Sequence, residues 1–150
     1  MGHMGLELNL LTERTADLDV LKNAIDLHKK HRALLHNGDV FRLDSAPQLI
    51  ASGVIARDKS EAIYSVAYVA SDAKVLPGRF QFTGLDPQRS YRLQLIWPSD
   101  WQAIKGPSAI ETLYLNGEGA IFSGAALVHG GLQLPHAFPE TCLLFYVAAI

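Results

Sequence analysis

Asp58-Lys59-Ser60-Glu61-Ala62-Ile63-Tyr64-Ser65-Val66-Ala67-Tyr68-Val69-Ala70-Ser71 is the stretch that decides the architecture. Residues 62–71 alternate in polarity and are rich in β-branched and aromatic side chains, the period of a strand with one face in a core. Asp58-Lys59-Ser60 in front of them reads as a hairpin turn, because a short acidic side chain and a hydroxyl can hydrogen-bond their own backbone. Residues 50–56 form the strand before the turn, with Gly53 expected to mark a bulge. A turn this tight joins only antiparallel neighbours.

The same pattern runs on both sides of this hairpin. Residues 39–43, 78–83, 90–97, 111–116, 120–127, 131–134 and 141–147 are further strand candidates. Gly84-Leu85-Asp86-Pro87 separates two of them with a strong turn signal. Turn signals recur every 8–12 residues, the spacing of an all-β sandwich. No stretch after Gly38 keeps a helical period long enough to cross between parallel strands. The final run from Cys142 to Ile150 is apolar and aromatic, and reads as a buried strand that closes the structure.

Residues 15–37 differ in kind. They contain no Gly or Pro, and Leu18, Leu21, Ile25, His28, Arg32 and Leu35 follow helical spacing. Val20, Ala24, Leu27, His31 and Leu34 form an adjoining stripe. Thr12 or Thr15 is expected to cap the start, since a hydroxyl there accepts a bond from an orphan N–H. Gly38 is expected to end the helix at positive φ. The predicted fold is therefore mainly β: an antiparallel β-sandwich of Greek-key type with about eight strands, preceded by one long N-terminal α-helix. The apolar stripe is wide, so the helix must pack on something large.

Composition narrows the function. The chain has 150 residues, about one domain, with 49% hydrophobic and 19% charged residues, which argues against disorder. Its net charge of −2 gives no electrostatic reason to expect nucleic acid or an anionic membrane as partner. No run of 18 apolar residues exists to span a bilayer. A single cysteine, Cys142, excludes an internal disulfide and any multi-thiolate metal site. Lack of disulfides points to the cytoplasm. Met1-Gly2-His3-Met4-Gly5 has no basic region followed by an apolar stretch, so it does not read as a secretory signal; it is either native or a cloning remnant.

The chemistry-bearing residues do not assemble into a reaction centre. His28 and His31 lie at i,i+3 on the helix, and no acid completes a metal site on their face. His3, His129 and His136 fall in separate segments. Asp39, Asp44, Asp58, Asp72, Asp86 and Asp100 nearly all lie in turns, and Glu111 and Glu140 border strands, so no carboxylate pair of the glycosidase kind is expected. Gly-x-Ser-x-Gly is absent, and Ser123-Gly124 falls inside a strand pattern. Cys142 is embedded in an apolar run, where a thiol is inert. Gly117-Glu118-Gly119 lacks the Lys-Ser/Thr that a phosphate loop carries. No metal and no cofactor is expected. Trp97 and Trp101 flank Pro98-Ser99-Asp100 and, with Tyr114, could stack on a sugar face; packing at a strand end is the plainer reading.

Several ordered motifs resemble a known family. Leu76-Pro77-Gly78-Arg79-Phe80, Gly84-Leu85-Asp86-Pro87-Gln88-Arg89-Ser90-Tyr91-Arg92, Ser123-Gly124-Ala125-Ala126-Leu127, Gly131-Leu132-Gln133-Leu134-Pro135 and Pro139-Glu140 occur in sequence. This series resembles the C-terminal region of bacterial α-galactosidases of glycoside hydrolase family 36. Gly2-His3-Met4-Gly5-Leu6-Glu7-Leu8-Asn9, His28-Lys29-Lys30-His31-Arg32, Leu35-His36-Asn37-Gly38-Asp39-Val40-Phe41-Arg42-Leu43 and Asp58-Lys59-Ser60-Glu61-Ala62 look like the passage from the catalytic barrel into that region. The resemblance implies a division at residue 38: residues 1–38 would be the end of the barrel with its last helix, and 39–150 the C-terminal sandwich. It implies a parent that hydrolyses terminal α-galactosides with retention, through two aspartates at barrel strand ends. No residue here matches those aspartate motifs, so the chain is expected to be a non-catalytic accessory domain. Its expected partners are the upstream barrel and, through the helix stripe, a second copy; the alternative is a carbohydrate-binding module.

Overall fold

The computed structural model of the chain describes residues 5, 7–43, 45–71, 78–98, 118–135 and 137–150. A 23-residue helix, α1 (Thr15–Asn37), opens it. Eight strands follow among the described residues: β1 (Asp39–Leu43), β2 (Leu49–Ile55), β3 (Glu61–Tyr68), β4 (Arg79–Phe80), β5 (Ser90–Trp97), β6 (Ala120–Ser123), β7 (Leu132–Gln133) and β8 (Cys142–Ala149). The candidate strand at 111–116 lies outside the described residues.

Six strands form one antiparallel sheet in the order β1-β2-β3-β8-β5-β6, and β4 pairs with β7 in a second, small sheet. The decisive hairpin holds its register throughout, from Leu49 opposite Tyr68 to Ile55 opposite Ala62. Lys59 takes the left-handed φ of 60° in the turn, and Asp58 Oδ1 accepts from the Ser60 N–H and hydroxyl at 3.0 and 2.7 Å. The apolar C-terminal run, β8, lies between β3 and β5 in the middle of the sheet.

Period-two alternation gives the large sheet two different faces. The inner face presents Ala51, Tyr64, Val66, Tyr91, Leu93, Leu143, Phe145 and Val147 to Phe80, Phe82, Leu132 and Leu134 of the small layer. Tyr64, Phe82 and Phe145 meet edge to face, with ring centroids 5.1 Å and 5.7 Å apart. Each such side chain, once fully buried, contributes about 1.5–3 kcal/mol. The outer face takes α1: Leu34 and Leu35 pack on Val54 and Ile63, with Ala56, Ile96 and Tyr146 at the margin. The result is an asymmetric antiparallel β-sandwich with a helix on its broad side.

Four local expectations are corrected. Neither Thr12 nor Thr15 caps α1: the Thr12 hydroxyl donates to Asn9 O at 3.0 Å, and Arg14 occupies the cap position without a side-chain cap bond. Gly38 has φ −75°, not a positive value. Its lack of a side chain serves close approach, since a Cβ there would lie 2.7 Å from Val54 Cγ1. Gly53 makes no bulge; it pairs in register on both sides and lies under the Phe41 ring. The strand expected over 120–127 stops at Ser123, whose hydroxyl accepts the Ala126 N–H at 3.2 Å and starts a π-helical turn, Ala126–Gly130.

Candidate functional site

The described carboxylates are spread out, and those that line the hollow at the end of α1 are already engaged. A hollow of about 440 Å³ at the C-terminal end of α1 is lined by Asn37, Gly38, Arg57, Asp58 and Glu61, among others. Asp58 is held by Ser60, whose hydrogen bonds keep its carboxyl below the usual range. Glu61 Oε2 accepts the Tyr146 hydroxyl at 2.8 Å. Asp39 meets Arg57 at 3.7 Å in the open, and Asp86 accepts the Gln88 N–H within its turn. Asp44, Asp72, Asp100 and Glu111 lie outside the described residues. Among the described residues, no group of three His, Cys, Asp or Glu side chains converges as a metal site would require.

A second concavity lies between α1 and the outer sheet face. It is a cleft of about 200 Å³ lined by Ala24, Leu27, His28, His31, Ile63, Ile96, Trp97 and Leu144. Trp97 reaches it through an irregularity in the β5–β8 pairing. The register shifts between Leu95 and Trp97, so that Leu95 faces Phe145 while Trp97 faces Leu144. Such a bulge re-aims a side chain, and here it adds the indole to the helix-side wall. Trp97 is half-buried. Trp101 and Tyr114, the other two proposed platform residues, lie outside the described residues.

The polar groups of this cleft are unusual. His31 is 6% exposed, and its ring lies 4.6 Å from that of Tyr146. Nε2 of His31 and Nε2 of His28 are both buried without a hydrogen-bond partner. Burial, aided by the charge of Lys30 and opposed by Glu61, holds the His31 pKa below the ordinary histidine value. Burial and the bond to Glu61 push the Tyr146 phenol up to about 12. Sequence reading placed His28 and His31 on the apolar stripes, but it missed Tyr146 and Glu61. Their signal was the outward phase of β3 and β8, which becomes a contact only once the register is known. Cys142, expected to be embedded, is half-buried on this same outer face, 3.5 Å from the Ser65 hydroxyl.

Comparison with known proteins agrees with this architecture. The family model described as the glycosyl hydrolase family 36 C-terminal domain matches residues 49–142. The chain belongs to that domain family. An α-galactosidase of Escherichia coli is 33% identical over 147 residues, which are 95% of this chain and 21% of the relative. Among solved structures, the α-galactosidase AgaA of Geobacillus stearothermophilus in complex with raffinose superposes with a TM-score of 0.73 at 19% identity, over 95% of this chain and 17% of that one. An α-galactosidase of Lactobacillus brevis superposes with a TM-score of 0.72 at 22% identity, over 96% and 18%. The chain thus spans about a fifth of the length of the relatives it matches.

Proposed function

We propose that this chain is the non-catalytic accessory end of an α-galactosidase-type family 36 glycoside hydrolase. Residues 1–38 close the catalytic barrel with its last helix, and residues 39–150 form the C-terminal sandwich. The observation that carries this reading is the match of residues 49–142 to a C-terminal domain, in a chain spanning 21% of its α-galactosidase relative. The start of that match after α1 supports the division. In this reading two aspartates outside the chain break the bond with retention, and terminal α-galactosides of the raffinose type are the substrates. The sandwich covers the flank of the barrel and stabilises it, in a cytoplasmic enzyme.

The unfilled part of α1 supplies the contact surface. Leu18, Leu21 and Ile25 are half-buried and Val20 is exposed, whereas the buried residues lie in the last two turns. The barrel covers this stripe in the parent, and a second copy covers it in the isolated chain. Light scattering then gives a dimer; a monomer at high micromolar concentration sinks that part. The accessory reading itself is tested with a chromogenic α-galactoside on the purified chain. No turnover is expected, and saturable turnover overturns it.

The half-exposed Trp97 at the cleft favours a second reading, a sugar-binding module using Trp97, Trp101 and Tyr114. Titrating tryptophan fluorescence with melibiose or raffinose separates the two. The accessory reading expects a flat response at millimolar sugar.

A further inference from the structure

α1 is fastened to the sheet by few side chains, and one of them is an imidazole. Its buried residues are His31, Leu34 and Leu35. The Nε2 atoms of His31 and of His28, one turn earlier, are sealed from water and make no hydrogen bond. A neutral imidazole tolerates such a place, because only one of its nitrogens carries a proton. An imidazolium carries N–H on both nitrogens and a full charge. A buried, unpaired charge is among the costliest groups a fold can hold.

The groups facing His31 do not rescue the cation. Lys30 on α1 shares its sign, and His28 offers no negative charge. β8 offers Tyr146, a neutral ring at 4.6 Å. β5 offers Ile96 and Trp97, both uncharged, across the cleft. β3 offers Glu61, the group that favours protonation, but its Oε2 already accepts from Tyr146. Burial and Lys30 outweigh Glu61 in the balance at His31. The helix cluster of Leu34, Leu35, Val54 and Ile63 is also separate from the sandwich core, so the helix can leave without opening the core.

We propose that His31 makes α1 an acid-released latch: protonating its imidazole lifts the helix from the outer face of the sheet while the sandwich stays folded. The released helix binds more protons than the docked one. Docking is therefore complete above the ordinary histidine pKa and weakens as pH falls below it. One proton gives a released-to-docked ratio that rises with a slope approaching tenfold per pH unit well below about 6.5, levelling off beneath the docked value. Under the division proposed above, the latch lies at the joint of the two parts, but it rests on the packing alone.

Hydrogen exchange of the 150-residue chain between pH 7.5 and 5.0, corrected for intrinsic rates, tests this. Protection in residues 25–37 should fall severalfold, up to about fivefold, from pH 6.5 to 5.5 while β3 and β8 keep theirs, and His31→Phe should flatten the dependence. Helix protection that ignores pH, or that falls in step with β3 and β8, overturns the latch. So does an undiminished slope in His31→Phe. Should that variant fail to fold, the His31 ring proton is titrated by NMR in the unaltered chain. Its midpoint must coincide with the loss of helix protection, and separate midpoints reject the proposal.

Discussion

Three tyrosines on the inner sheet face each hold a loop by a single hydroxyl. Tyr64 donates to Thr83 O at 2.8 Å, Tyr68 to Pro135 O at 2.6 Å, and Tyr91 to Lys59 O at 3.0 Å while accepting the Asp86 N–H. The ring fills the core and the hydroxyl satisfies a backbone group that would otherwise be sealed from water, which is why tyrosine suits these places. Tyr68→Phe should therefore cost about 1–3 kcal/mol in equilibrium urea unfolding, because it strands a buried carbonyl. A loss under about 0.5 kcal/mol would mean that water reaches Pro135 O. The strand positions of these tyrosines were legible from alternation in the sequence, but their loop partners were not. Residues 68 and 135 meet only after the sheet and the small layer have assembled.

At the level of elements, α1 is the clearest case of local pattern and tertiary use diverging. Its span matches the helical period, from the last polar turn to Gly38. How it attaches differs from what the stripes suggest, because burial concentrates at His31, Leu34 and Leu35. Leu34→Ala should cost about 2–5 kcal/mol of docking, as for other buried leucines, read as lost protection in α1. Val20→Ala, at a site 53% exposed, should stay within about 0.5 kcal/mol. Equal effects of the two changes would mean that the helix is held along its whole length. The bulge between Leu95 and Trp97 is a similar lesson. Nothing in Ser90–Trp97 marks it, because a bulge answers to the partner strand, and that strand is β8, some fifty residues later.

For the molecule as a whole, the position of β8 governs how stability is shared. The last strand is central, paired with β3 on one side and β5 on the other. A chain lacking residues 142–150 should lose its cooperative urea transition, since it loses both ladders and Leu143, Phe145 and Val147 from the core. A sharp transition in that truncation would contradict the sheet order. Alkaline stability follows from Tyr146. Its pKa is raised to about 12, so the folded chain keeps a proton that the unfolded chain releases near 10. That contribution is complete below pH 10 and is lost as pH climbs toward 12. Unfolding titrations at pH 9, 10.5 and 12 should show the fall, and Tyr146→Phe should reduce it. An equal fall in that variant would place the titrating group elsewhere.

Local patterns in the chain were enough for the helix, for the hairpin around Asp58-Lys59-Ser60, for the antiparallel sense of the strands and for the buried nature of the C-terminal run. These depend on periodicity and turn chemistry, which act over a few residues and are written in their order. Packing alone settled the place of β8 inside the sheet, the close approach at Gly38, the Phe41 ring over Gly53, and the seating of His31 on Tyr146 above Glu61. Each of these joins residues far apart in the chain. A contact at long separation depends on register and layer order, and neither exists until the whole core has formed.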